Sequence, residues 1–192
     1  LNRFVKSSLV GLFLFASLAL QAKVHLFDGA KDHGGLAEKT KAPDFTLKTL
    51  NDKSISLSDY KGRPVVVDFF ATWCGPCKQE MLMLKNWRKR RLKLGLQEVP
   101  VVVVSVDREV DALERYLKTH DNSFTFVHDS NSEVADRYKV KGLPTLYFIG
   151  ADGTILDTSV GVSPGLIYKF DRLSDGSATS ATVKSISRGG EK

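Results

Sequence analysis

The 192-residue sequence predicts an α/β fold, a mixed sheet flanked by helices, and three features carry the prediction. Two nearly continuous apolar, β-rich runs, "RPVVVDFFA" at 63–71 and "PVVVVSVD" at 100–107, fit strands covered on both faces. A helical stretch from near Cys74 to about Gly95 lies between them. Strand, helix, strand makes a βαβ unit and therefore a parallel pair. Short alternating segments before and after this unit read as hairpins.

From the amino terminus, Arg3 and Lys6 precede the apolar run "LVGLFLFASLAL", Leu9 to Leu20. The run is short of the roughly 20 residues that cross a bilayer comfortably. Positive residues, a short apolar stretch and "LQA" read as a secretory signal over residues 1–22, cleaved after Ala22. The alternative is an uncleaved anchor, and either reading places the domain outside the cytoplasm, periplasmic or secreted. Residues 23–41 are polar, with Gly29, Gly34 and Gly35, and are expected to be a flexible lead-in.

The domain itself is expected over residues 42–173. "DFTLKTL" alternates at Phe45 and Leu47, and "SISL" does so at Ile55 and Leu57, with "NDK" as the turn of a hairpin. Beyond the second apolar run, Val110, Leu113 and Leu117 have helical spacing, with Asp107 as N-cap. "FTFVHD" (124–129) reads as a short strand. Ser130 and Glu133 have capping-box spacing and open a helix through Tyr138. "TLYFIG" (145–150), the turn "ADG" and "TILDTSV" (154–160) form a second hairpin. Ser163-Pro164 starts the last helix, and residues 174–192, rich in Ser, Thr, Gly and charge, are expected to be a disordered tail.

A hydrophobic share of 42% and a charged share of 26% describe an ordinary globular chain, and two cysteines exclude a disulfide-stapled miniprotein. The net charge of +6 falls to +4 without residues 1–22. Most of the excess lies in "KNWRKRRLK", Lys85 to Lys93, with six basic residues and no acid. This segment reads as a solvated helix end complementing the dipole, or as a contact for an anionic surface. No nucleic-acid recognition motif accompanies it.

Both cysteines lie within "FFATWCGPCKQE", 69–80. A cross-link closing so short a loop stabilises little, so these sulfurs are there to react. Cys74 stands where a strand turns into a helix, and the helix mouth favours its thiolate. It is the expected exposed attacker; Cys77, almost a turn further in, is the expected shielded partner. Attack on a substrate disulfide by Cys74 gives a mixed disulfide, which Cys77 then resolves. Asp68, a lone carboxylate in "VVVDFF", is the candidate acceptor for the Cys77 proton, with burial raising its pKa.

"VVVDFFATWCGPCK" resembles the active-site stretch of thioredoxins, with Asp68, Trp73, Cys74, Gly75, Pro76 and Cys77 matching. "GLPT" at 142–145 is similar to that superfamily's cis-proline loop. The resemblance implies that Leu143 and Pro144 sit beside the cysteines, with Pro144 pairing with substrate backbone, and that Trp73, Gly75 and Pro76 also contact substrate. The export signal, the entry into the fold and an additional helix and strand within 108–129 resemble the TlpA/ResA-like branch. This implies a thioredoxin fold with an N-terminal β-hairpin and a central helix-strand insertion. It also implies an extracytoplasmic thiol-disulfide oxidoreductase acting on protein disulfides, in cytochrome c maturation or a related reductive pathway. Such a protein needs no cofactor and draws on a membrane electron donor. Glu80 fits that branch's C-x-x-C-x-x-E pattern and is implied to tune or protonate the thiols, against a plain solvated glutamate. Three positions depart from the branch: Asp68 where asparagine is common, Leu82 in place of a helix-kinking proline, and Thr145 where the CcmG subgroup has glutamate.

Gly-Pro between the cysteines favours a reductase over an oxidase or isomerase on the same fold. A metal-delivery protein needs further ligands, and His25, His33, His120 and His128 have no ligand spacing relative to Cys74. A peroxidase would need "P-x-x-x-T-x-x-C", which is absent ahead of Cys74. A non-catalytic interaction module has only the basic segment in its favour.

Overall fold

The computed structural model describes residues 34–120, 123–163 and 165–174. The elements are β1 (Thr46–Lys48), β2 (Ser54–Ser56), a 3-10 turn (Leu57–Tyr60), β3 (Val65–Phe70), α1 (Gly75–Lys93) and β4 (Val101–Ser105). They continue with α2 (Val110–Thr119), β5 (Thr125–His128), α3 (Glu133–Arg137), β6 (Thr145–Ile149) and β7 (Ile155–Val160). A final helix, α4, covers 166–174. One mixed sheet runs β2-β1-β5-β4-β3-β6-β7. β3, β4 and β5 are mutually parallel, while both hairpins and the β3–β6 pair are antiparallel. This is the thioredoxin fold with the expected hairpin and the expected helix-strand insertion, α2 and β5.

The two faces of the sheet follow from strand alternation. Val66 and Phe70 of β3 pack with Cys77, Met81, Leu84 and Trp87 of α1 and with Phe170 of α4. Val65, Val67 and Phe69 pack on the other side with Phe45, Leu57, Val134 and Tyr138. Every residue of β3 is buried, which is why the run reads as continuous rather than alternating. Asp68 shares the parity of Val66 and Phe70, so it faces the side on which α1 lies.

α1 begins with Pro76 in its first turn, where no hydrogen bond is lost, and ends near Arg90, Arg91 and Lys93. Its buried residues Cys77, Glu80, Met81, Leu84, Trp87 and Arg91 fall on one helical face. Gly95, with φ +67°, turns the chain away in a conformation that costs a side-chain-bearing residue more. Leu82 lies within the unbroken helix and is exposed.

Several local expectations are corrected. α2 is capped at Glu109, not Asp107, because the Asp107 carboxylate is buried and committed elsewhere. α3 starts at Glu133 after Ser132 and stops at Arg137; its first N–H groups, on Val134 and Ala135, donate to the Asp129 carboxylate at 3.2 and 2.9 Å, so Asp129 does the work expected of Ser130. Residues 34–41, read as part of a flexible lead-in, are held along the β6–β7 hairpin. Leu36 N–H donates to the Tyr147 hydroxyl at 3.1 Å, and Lys39 N–H and Ile155 N–H donate to the carbonyls of Ile155 and Thr40, both at 2.8 Å. Ser174, placed in the tail, is buried: its hydroxyl accepts from Arg91 at 2.7 Å. The expected signal segment 1–22, the rest of the lead-in, Pro164 and the expected tail from 175 lie outside the described residues.

The basic segment is not the uniformly solvated helix end expected. Arg88 pairs with Glu98 at 2.6 Å, Arg90 bonds Asp171, and Arg91 is buried over the Trp87 ring. Trp87 Nε1 donates to Asp171 at 2.8 Å, so α4 is fastened to α1 through one carboxylate. Lys89 and Lys93 remain exposed.

Phe170 packs on Trp87 and Phe148 at ring separations of 5.5 and 5.1 Å. Phe170→Ala is expected to destabilise by about 3–5 kcal/mol, the range for emptying a buried aromatic site. Urea unfolding checks this as a lowered midpoint with an unchanged slope.

Candidate active site

The site forms where β3 ends and α1 begins, at the carboxyl edge of the parallel strands, where open α/β sheets leave a crevice. Cys74 is the N-cap of α1, and the Cys77 N–H donates to Cys74 Sγ at 3.2 Å. The sulfur thus sits at the positive end of the helix on one of its orphan N–H groups. The two cysteines are joined as a disulfide. Exposure differs in the expected order but not in the expected degree: Cys74 is 6% exposed and Cys77 1%. Cys74, the expected attacker, is thus nearly covered, and what it exposes borders a cleft.

The cleft has a volume of about 590 Å³. Trp73, Cys74, Gly75 and Pro76 line one wall, and Ala135 of α3 and Leu143 line the other. Trp73 is 72% exposed, an indole standing in solvent beside the dithiol. The Leu143–Pro144 peptide is cis. Pro144 is buried and its carbonyl accepts from Gly161 N–H at 2.8 Å. Proline has no N–H, so any pairing of Pro144 with a substrate backbone would run through its carbonyl alone. Leu143 is the residue whose N–H and C=O keep no partner among the described residues.

Beneath the dithiol lie two carboxyls. Asp68 is 1% exposed and Glu80 is fully buried, and their four oxygens find no partner among the rest of the described residues, so each carboxyl has only the other to interact with. The solvated-helix reading of Glu80 is thereby corrected; it lies on the inner face of α1, as Cys77 does. Burial raises the Asp68 pKa. Burial raises Glu80 further, with the Asp68 charge adding to it. An unpartnered buried carboxylate is costly, so the pair favours holding protons.

Sequence reasoning missed two supporting aspartates, Asp107 and Asp129. Each follows the apolar run of a parallel strand, β4 and β5 respectively, and each is buried. Asp129 caps α3 and so sets one wall of the cleft. The Asp107 carboxylate accepts from Thr72 N–H and hydroxyl and from the Ser105 hydroxyl. A carboxylate just past a β-rich run at the sheet's carboxyl edge was the readable signal. Neither described histidine joins the dithiol's polar surroundings: His120 stacks on Tyr116 at 4.0 Å, and the His128 ring donates to the Asp107 carbonyl at 2.6 Å.

A thioredoxin fold with a paired CxxC at a helix mouth defines a class, the thiol-disulfide oxidoreductases. The profile described as the AhpC/TSA family matches residues 39–158. Among curated relatives, thiol-disulfide oxidoreductase ResA of Oceanobacillus iheyensis is 33% identical over 158 residues, covering 80% of this chain and 79% of that protein. ResA of Bacillus subtilis is 30% identical over 171 residues, covering 88% and 92%. Among solved structures, a DsbE-type thiol:disulfide interchange protein from Chlorobium tepidum superposes with a TM-score of 0.64 at 30% identity, covering 74% of this chain and 98% of that one. The chain belongs to the AhpC/TSA family and, within it, to the thioredoxin-like thiol-disulfide oxidoreductases of the ResA type.

The raised carboxyls carry a stability consequence. A carboxyl raised by burial contributes most below its unfolded pKa and loses that contribution as pH climbs through the folded value. The oxidised protein is therefore expected to weaken progressively from about pH 4 upward on account of this pair. Asp68→Asn should raise the urea midpoint more at pH 8 than at pH 5; an equal gain at both would show that Asp68 carries no shifted proton.

Proposed function

We propose that this protein reduces disulfides in protein substrates outside the cytoplasm, with Cys74 as nucleophile and Cys77 as resolving thiol. One observation carries the reading: the Cys74 sulfur caps a helix whose buried face carries Cys77 and Glu80, and Glu80 faces the buried carboxyl of Asp68. In the reduced protein the Cys74 thiolate attacks a substrate disulfide, forming a mixed disulfide and releasing one substrate thiolate. Cys77 loses its proton to the Asp68–Glu80 pair and attacks Cys74 Sγ. The second substrate thiolate leaves, and the Cys74–Cys77 disulfide remains. Two electrons have passed to the substrate, and the protein awaits re-reduction by a membrane electron donor. Proximity within one helical turn makes the resolving step intramolecular.

Substrate enters along the cleft. Trp73, Gly75 and Pro76 offer it an apolar ledge, and the unpaired Leu143 N–H and C=O offer an extended backbone its hydrogen bonds. Pro144 shapes the turn that presents them. The resemblance to the TlpA/ResA-like branch is what points to cytochrome c maturation or a similar reductive pathway, and the expected signal at 1–22 supports a periplasmic or secreted location. Lys89 and Lys93 are what the basic segment leaves for contact with an anionic surface.

Cys74→Ser is expected to abolish insulin reduction, and Cys77→Ser to accumulate mixed disulfides with substrate. Replacing Asp68 and Glu80 by Asn and Gln should slow resolution by roughly 10²-fold or more near pH 7, the scale of a lost general base. The direction of electron flow is read from the midpoint potential. A value near thioredoxin's, about −270 mV, fits a reductase, whereas one near DsbA's, about −120 mV, would make the protein an oxidase.

A further inference from the structure

Thr72 is the second residue of the turn joining β3 to α1, two positions before Cys74. Its N–H reaches both Asp107 oxygens, at 3.2 and 3.0 Å, and its hydroxyl donates to Oδ1 at 2.8 Å. The Ser105 hydroxyl donates to Oδ2 at 2.8 Å. Asp107 is only 2% exposed, and no lysine or arginine pairs with it among the described residues. Its own backbone is fixed as well, since its carbonyl accepts from the His128 ring at 2.6 Å and the preceding Val106 N–H donates to Phe70 O at 2.9 Å. A buried carboxylate is retained here only because donors converge on it, and most of them come from one residue of the cysteine-bearing turn.

We propose that Asp107 is a positioning residue for the dithiol. From the end of β4 it clamps Thr72 and so holds the turn that seats Cys74 as the N-cap of α1. The clamp acts through Thr72, without contact with substrate or sulfur. Its purpose follows from the geometry of the cap: the Cys74 thiolate gains from the helix mouth only while its Sγ stays aligned with the Cys77 N–H, and a turn free to move would lose that alignment. The clamp lies on the parallel neighbour of β3, so the turn is referenced to the sheet and not only to its own helix.

The role rests on Cys74 being the nucleophile, and the test separates the two. Iodoacetamide alkylation of Cys74 in the reduced full chain, followed against pH, reports the thiol pKa and reactivity for wild type, Asp107→Ala, Asp107→Asn and Thr72→Val. Asn keeps an acceptor for Thr72 and presents its amide to the Ser105 hydroxyl, so it should stay within about twofold of wild type. Asp107→Ala should lower the thiolate fraction at pH 7 by roughly two- to fivefold, the size of a charge interaction at a helix terminus. Thr72→Val keeps the N–H donor and should fall between them. Adding it to Asp107→Ala should change nothing further. If Asp107→Ala does not fold, a Thr72→Val shift in the same direction with Asn near wild type still supports the clamp. Unmoved reactivity in Thr72→Val and in both Asp107 variants overturns it. So does an equal fall in pKa in Asn and Ala, which would make Asp107 a remote charge and not a clamp. A wild-type Cys74 with an ordinary thiol pKa would instead sink the nucleophile assignment itself.

Discussion

The constraint on which this site rests is the burial of two carboxyls that are offered nothing to bond beyond each other. Asp68 stands on a central strand with every neighbour in β3 apolar, and Glu80 stands on the inner face of the helix above it. An unsatisfied buried polar group costs on the order of 1–3 kcal/mol, and an ionised one more. A folded protein keeps such a pair only if the surrounding core is rigid enough to deny it water. That rigidity comes from the two-sided packing of β3 and from α1, held at its far end by Trp87, Arg91 and α4.

The same packing decides the chemistry above it. α1 has its mouth at Cys74 and carries Glu80 on its buried face, so in the proposed mechanism one helix provides both the positive end that favours a thiolate and a buried acid for the second thiol's proton. The dithiol is almost closed to solvent, and the cleft between Trp73 and Leu143 is its approach. A substrate disulfide must therefore come to the sulfur as part of a chain able to lie along that cleft, which suits a protein more than a small free disulfide.

The aspartates at the carboxyl ends of β4 and β5 extend this logic outward. Asp107 ties down the turn carrying the cysteines, and Asp129 ties down α3, so both walls of the cleft are referenced to neighbouring parallel strands. Both ties use hydrogen bonds from backbone N–H groups to carboxylates, and the Thr72 hydroxyl adds a side-chain bond to Asp107.

Much of the fold and of the reacting pair was legible in one dimension. The two apolar runs, the intervening helix and both hairpins could be read because strand burial and helical spacing are local periodicities. Cys74 and Cys77 could be read because a thiol pair at a helix mouth has little other use, and Asp68 because a lone charge in a buried strand is conspicuous. Tertiary packing decided what depends on partners distant in sequence. Glu80 could be solvated or buried until α1 turned its face to β3. Asp107 looked like a helix cap until Thr72, 35 positions away, claimed its carboxylate. Arg88, Arg90 and Arg91 looked like free charge until Glu98 and Asp171 met them. A residue's type limits the bonds it can make, but which partner arrives is set only when the sheet brings the chain's separate segments together.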